Sequence, residues 1–211
     1  MTKILAQPPI REVEEDRRLL QGALLFLVSL AVFFVACMIL YAIYVLIRIK
    51  PLTEDAIGGI QPFYLPASFL ITTVNLVAIS ILLHLAVAAV RKEARTDFNR
   101  YVILAAILAM VFFVIQGSGL TWMVDAMNKP TPAMKTLYTF TIFLVIVHAL
   151  HVIGGAVGMV ILVFGIRRQS YDHERHFPVR FCALYWHFLD FVWVIMMAGF
   201  ALAAYVSKAS G

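Results

Sequence analysis

Four side chains able to carry a proton or ligate a metal stand inside long apolar stretches: His148 and His151 in one, His187 and Asp190 in the next. An ionised Asp at the centre of a bilayer-spanning helix costs about 2.5 to 3.5 kcal/mol on insertion scales. A group that costly needs a partner, and His187, one helical turn earlier, lies on roughly the same face. A His–Asp pair can hold one imidazole tautomer, accept a proton, or steady a metal ligand from behind. His148 and His151 have the same spacing and stand about 4.5 Å apart along a helix axis. Both can touch one partner, but they cannot ligate opposite faces of a single haem. Three readings stay open: interhelical hydrogen bonding, metal or haem ligation, and proton handling.

The elements that must hold these groups are membrane spans. The chain has 211 residues, 63% of them hydrophobic and 14% charged, where soluble domains carry about 25% charged residues. Five stretches exceed the roughly 20 residues a hydrocarbon core requires: about 19–47, 63–90, 101–124, 136–166 and 181–206. They are continuously apolar and do not alternate over ten-residue blocks, which fits helices better than a barrel. The expected fold is an all-α membrane protein, a bundle of five transmembrane helices. Its expected parts are a cytoplasmic segment 1–18, one membrane domain 19–206 and an external tail 207–211. Residues 11 to 18 hold four acidic groups before a long apolar run, unlike a secretory signal, so the first span is expected to stay in the mature protein.

Basic residues predict the orientation. Segments 1–18, 91–100 and 167–180 hold twelve of the seventeen Lys and Arg, and the alternate segments hold five. By the positive-inside rule the N-terminus is cytoplasmic and the C-terminus external. The external loop Pro51 to Pro62, with Glu54, Asp55, Gly58 and Gly59, suits a turn or a partner contact. Asn128 to Pro132 reads as a second breaker. No Lys/Arg run is interleaved with exposed aromatics, so nucleic acid is not an expected partner. Cys37 and Cys182 lack CxxC spacing and read as free thiols within the membrane.

Other polar groups have ordinary roles available. Gly154 and Gly158 form a GxxxG that lets another helix approach closely. Trp186 and Trp193, seven apart, share a face that could pack on a partner or on lipid. His84, a few residues before Arg91 and Lys92, reads as interfacial. Thr72, Thr73 and Asn75 can bond within the bundle. Gln116, Ser118 and Thr121 give the third span a mildly polar stripe beside Gly117 and Gly119, while Asp125 and Lys129 read as solvated near the boundary.

Two segments together carry a family resemblance. His148-Ala-Leu-His151-Val-Ile-Gly-Gly resembles the HGLHV-type segment of haem-copper oxidase subunit III, with Ala149 where Gly is usual. Phe181-Cys-Ala-Leu-Tyr-Trp186-His187-Phe-Leu-Asp190-Phe-Val-Trp193 resembles that family's last-helix signature, in which WHF, Asp and VW recur at this spacing. The Leu65-Pro66 approach to span two, His84 and the basic turn after it extend the likeness more weakly over nearly the whole chain. In length and span count the chain is similar to the short five-helix bacterial form. Many members carry membrane-embedded Glu residues where this chain has Ala67 or Ser68, and Gln116-Gly-Ser-Gly119; both acids are absent here.

The resemblance implies a multi-pass subunit of the bacterial cytoplasmic membrane that binds no redox centre. It implies packing on subunit I beside subunit II, with haems and copper in those partners, bound phospholipid, and a place open in a larger respiratory supercomplex. The implied reaction of the whole complex is dioxygen reduction to water with cytochrome c or quinol electrons, coupled to proton pumping. His148, His151, Trp186, His187, Asp190 and Trp193 would form a buried polar seam and packing surface without catalysis. The homologous accessory subunit of a nitric oxide reductase shares the last-helix signature and is the nearest alternative. A small membrane haem or metal protein using His148, His151 and His187, or a proton-relay transporter, are the alternatives of other classes. The chain shows no internal repeat and no broken helix of the transporter kind.

Overall fold

A computed structural model describes residues 10–49, 64–128, 132–167 and 177–209. The loop Pro51–Pro62, the breaker residues 129–131, the basic stretch 168–176 and both extreme termini lie outside the described residues. Five helices occupy the described chain: α1 (Ile10–Ile49), α2 (Ser68–Arg91), α3 (Arg95–Met127), α4 (Pro132–Arg167) and α5 (Phe177–Ala209). All five are long and apolar enough to cross a membrane. The protein is an all-helical, five-span membrane bundle.

Most helices run past the apolar stretches that predict them. Once nucleated, a helix extends into water wherever its residues tolerate it, and the Arg and Glu residues at the start of α1 are good helix formers. The exception is α2, which begins at Ser68 instead of near 63. Pro66 has no N–H to donate and restrains the residue before it. Its carbonyl instead accepts from Phe69 N at 3.1 Å, opening the helix with a tight turn.

The α2–α3 corner is closed by a Schellman arrangement. Ala94 N donates to Ala89 O at 3.0 Å and Glu93 N donates to Val90 O at 3.2 Å. Glu93 takes the left-handed conformation, φ 57°, at the position where glycine is favoured.

Helices α2, α3, α4 and α5 form a closed ring in which each touches its two neighbours, and α1 packs outside against α5 and α4. The buried positions explain the ring. In α2 they include the run 69, 72, 76, 79, 83, 86 and 90, flanked by 75, 80 and 89; in α3 they fall at 98, 102, 105, 109, 112, 116, 119 and 123. In α4 they include the run 138, 141, 145, 148, 152, 155, 159 and 162, flanked by 144, and in α5 the run 182, 186, 189, 193, 196, 200 and 203, flanked by 179, 183, 185 and 192. Alternating steps of three and four give a 3.5-residue repeat, the left-handed supercoil packing common in membrane bundles. Helix α1 buries one sparser stripe, Leu27, Phe34 and Tyr41, and exposes large apolar side chains elsewhere.

Candidate functional site: a ladder of side chains on the last helix

Three helices meet α5, and its side chains bond differently to each. Toward α4, Tyr185 Oη donates to the His151 carbonyl at 2.9 Å, and Trp186 Nε1 donates to the Gly155 carbonyl at 3.3 Å. Toward α2, Trp193 Nε1 donates to Thr73 Oγ1 at 2.9 Å, and the Thr73 hydroxyl in turn donates to the Phe69 carbonyl at 2.7 Å. Toward α1 the contacts are apolar and aromatic, such as Phe26 against Tyr185 at a 6.2 Å ring separation. Trp186 and Trp193 are fully buried inside the bundle and present no face to lipid.

The expected glycine seam sits one residue away from the GxxxG pair. A Cβ at Gly155 would meet Trp186 at 3.1 Å and Tyr185 at 3.2 Å, whereas at Gly158 the nearest atom, Cys182 Sγ, would be 3.7 Å away. Gly154 is exposed, with only the Tyr185 hydroxyl nearby at 3.4 Å. Gly155 lies on the 3.5-residue seam of α4 and its neighbours do not, so it is where the Trp186 indole enters. Cys37 and Cys182 are both free thiols, half-buried and buried.

The four sequence candidates divide into two sets. His148 has no exposure and stands between Trp193, at a 5.0 Å ring separation, and Phe34, at 6.2 Å. Neither of its ring nitrogens has a hydrogen-bond partner among the described residues. His151, one turn further, is half-buried against Phe34. Its Nδ1 is 2.7 Å from the Val147 carbonyl. A carbonyl only accepts, so this geometry assigns the proton to Nδ1 and leaves Nε2 with the lone pair.

His187 and Asp190 turn to α2. Both reach Ser80: its hydroxyl is 2.9 Å from His187 Nδ1 and also bonds the Asp190 carboxyl. The partner that Asp190 requires is thus a hydroxyl on another helix, and His187 shares that hydroxyl. The second oxygen of Asp190, Oδ1, is buried with no partner among the described residues. His84, also on α2, brings its ring within 6.1 Å of His187. Nothing in the sequence singled out Ser80. Serine is unremarkable in an apolar helix, and only the α2–α5 packing places it between the two groups.

A third polar region lies where the family acids are absent. A Cβ at Gly119 would meet Ser68 Oγ at 2.7 Å and the Phe69 ring at 2.8 Å. The two departures from the family pattern therefore face each other across the α2–α3 contact. Gln116, one turn from Gly119, is buried with neither amide atom bonded, and Ser68 Oγ is also without a partner among the described residues. Asn75 ties the same two helices by donating to the Leu108 carbonyl at 3.0 Å.

No group of three or more His, Cys, Asp or Glu among the described residues could hold a metal ion. An apolar groove of about 480 Å³ lies between α1, α4 and α5, lined by Phe26, Gly154, Gly155, Gly158, Phe181 and Tyr185 among others.

A profile of cytochrome c oxidase subunit III matches residues 12–203. The chain belongs to that family. It is 28% identical to cytochrome c oxidase subunit 3 of Heterololigo bleekeri over 141 residues, 66% of this chain and 51% of that protein. Against the subunit 3 of Thermostichus vulcanus it is 27% identical over 183 residues, 83% of this chain and 82% of the relative. The Synechocystis subunit 3 is 25% identical over 177 residues, covering 83% and 71%. The chain spans about half the length of the Heterololigo relative but most of the Thermostichus and Synechocystis ones. In this subunit III family member, the last-helix signature becomes physical: Trp186 and Trp193 anchor α5 to opposite neighbours, and His187 and Asp190 fasten it to Ser80.

Proposed function

We propose that this chain is the accessory subunit III of a haem-copper terminal oxidase, seated on catalytic subunit I beside subunit II in a bacterial cytoplasmic membrane. The complex reduces dioxygen to water with electrons from cytochrome c or quinol and translocates protons; its haems and copper lie in the partner subunits. The chain itself supplies structure, with its N-terminus in the cytoplasm and no redox centre of its own. The observation that carries this reading is the family match over residues 12–203, joined to the way the signature residues are used. Trp186, Trp193, His187 and Asp190 all serve helix-to-helix contacts. The groove beside Gly155 and Phe26 is wide and apolar enough to take a phospholipid acyl chain.

Purification of the tagged chain in mild detergent, with reduced-minus-oxidised spectra and partner identification, tests the proposal. Co-purification with a haem- and copper-bearing large subunit that consumes oxygen is the expected result. Nitric oxide consumption in place of oxygen would move the complex to the reductase branch. A lone chain carrying its own haem would overturn the reading.

A further inference from the structure

The α2–α5 face carries an unusual combination for a membrane surface. His84 and His187 are both exposed, with rings 6.1 Å apart. Each lies seven residues from a basic boundary residue on its own helix, Arg91 and Arg180, which at 1.5 Å per residue is about 10 Å into the apolar layer. Half of a hydrocarbon core is about 15 Å thick, so both imidazoles lie within it. Every other exposed ionisable side chain among the described residues is within five residues of a span end. On α3 and α4 the exposed side chains seven to ten residues from Arg100 and Arg167 are Ile107, Met110, Val157 and Val160, all apolar.

Lipid tails cannot satisfy an imidazole, and an intramembrane ionisable group faces protein or water. The chain's own helices meet only part of the demand. Ser80 takes His187 Nδ1, while His187 Nε2 and the whole of His84 have no hydrogen bond among the described residues. Ser80 has a single proton and serves both His187 and Asp190. If it donates to Asp190, His187 donates Nδ1–H and turns a lone pair outward. If it donates to His187, an Nε2–H turns outward. A hydroxyl or carboxamide answers either arrangement without placing another charge in the membrane.

We infer that the His84–His187 face of α2 and α5 is the docking surface for a transmembrane helix of another subunit of the oxidase complex, one presenting an uncharged hydroxyl or carboxamide to the two imidazoles. This rests on the accessory-subunit reading above. Family membership argues for a helix of a different subunit over a second copy, because a subunit III belongs to a complex with other oxidase subunits.

The test is site-specific photo-cross-linking in membranes holding the whole complex. A benzophenone amino acid is placed at Ile81 or Val194, which flank the imidazoles, and at Val114 or Val157 as controls on α3 and α4. Co-purification of the chain with its complex is scored first. Its failure would remove the accessory reading itself, and the docking face with it. With the complex intact, the expected result is an adduct from Ile81 and Val194 to a transmembrane peptide of another subunit that contains Ser, Thr, Asn or Gln, with neither control reacting so. Adducts from Ile81 and Val194 to lipid or to a second copy, or subunit adducts from the controls alone, would overturn the docking face while sparing the accessory reading. As a second readout, the double variant His84→Leu, His187→Leu should reduce retention of the chain by its complex roughly tenfold. Unchanged retention would overturn the inference.

Discussion

The two sides of α5 solve one problem by opposite means. Toward α4 the contact is dry and close: Trp186 lies over a glycine and donates to that residue's carbonyl, and His148 is enclosed by Trp193 and Phe34. Toward α2 the contact is polar, with Ser80 joining His187 and Asp190 and an edge open at His84. Lipid offers no hydrophobic drive for helix association, so packing and hydrogen bonds must supply it. The contrast shows where each is spent. Toward α4 the phenol and indole donate to backbone carbonyls over close packing, and toward α2 side chains bond side chains.

The sharpest way to break this contrast is Trp193→Ala. That indole touches Phe69 and His148 and bonds Thr73, so its removal should destabilise the chain by about 3–5 kcal/mol. Unfolding in mixed micelles would measure it, and a loss below 1 kcal/mol would refute the weight placed on packing. Next comes a pair on α4. Gly155→Ala forces a methyl against Trp186 and should cost about 1–3 kcal/mol, whereas Gly158→Ala, meeting nothing closer than 3.7 Å, should stay within about 0.5 kcal/mol. Equal effects would erase the distinction between the buried seam and the GxxxG pair.

The polar side should respond more weakly but cooperatively. In a double-mutant cycle of Ser80→Ala and Asp190→Ala, a coupling of about 0.6–1.7 kcal/mol is expected for interhelical hydrogen bonds in this setting. Additivity would mean that the shared hydroxyl does not join the helices. The Asp190→Ala variant should also lower the yield of assembled complex while leaving the turnover of assembled enzyme near normal. Normal yield with abolished oxygen chemistry would contradict a structural role. A last effect belongs to neither side. At the α2–α3 corner, Glu93→Gly relieves the left-handed backbone and should stabilise by about 0.5–1 kcal/mol.

Several residues show how far the sequence reaches. Asp190 and His187 were legible as a costly pair in need of a partner, because ionisable groups stand out against apolar neighbours. Ser80 was not, because a hydroxyl in a helix can bond its own backbone and so announces nothing. Gly154 and Gly158 matched a known spacing, yet Gly155 takes the indole. In an all-apolar helix no polar face marks which side turns inward, so the 3.5-residue seam through His148 and Gly155 is hidden in the hydropathy. The absent acids at Ser68 and Gly119 were visible one at a time, and their direct opposition was not.

By itself the sequence determined that the chain crosses the membrane five times as helices, because length and apolarity admit no other spanning form. It also determined the family, through residue types at fixed spacings in the last two helices. Only the tertiary structure decided which helices are neighbours, that α1 stands outside the ring, and that Asp190 is answered by a serine of α2 more than one hundred residues away. Spacing along one helix sets which residues share a face. The partner across that face depends on how five nearly uniform apolar surfaces pack, and side-chain shape settles that only when the helices meet.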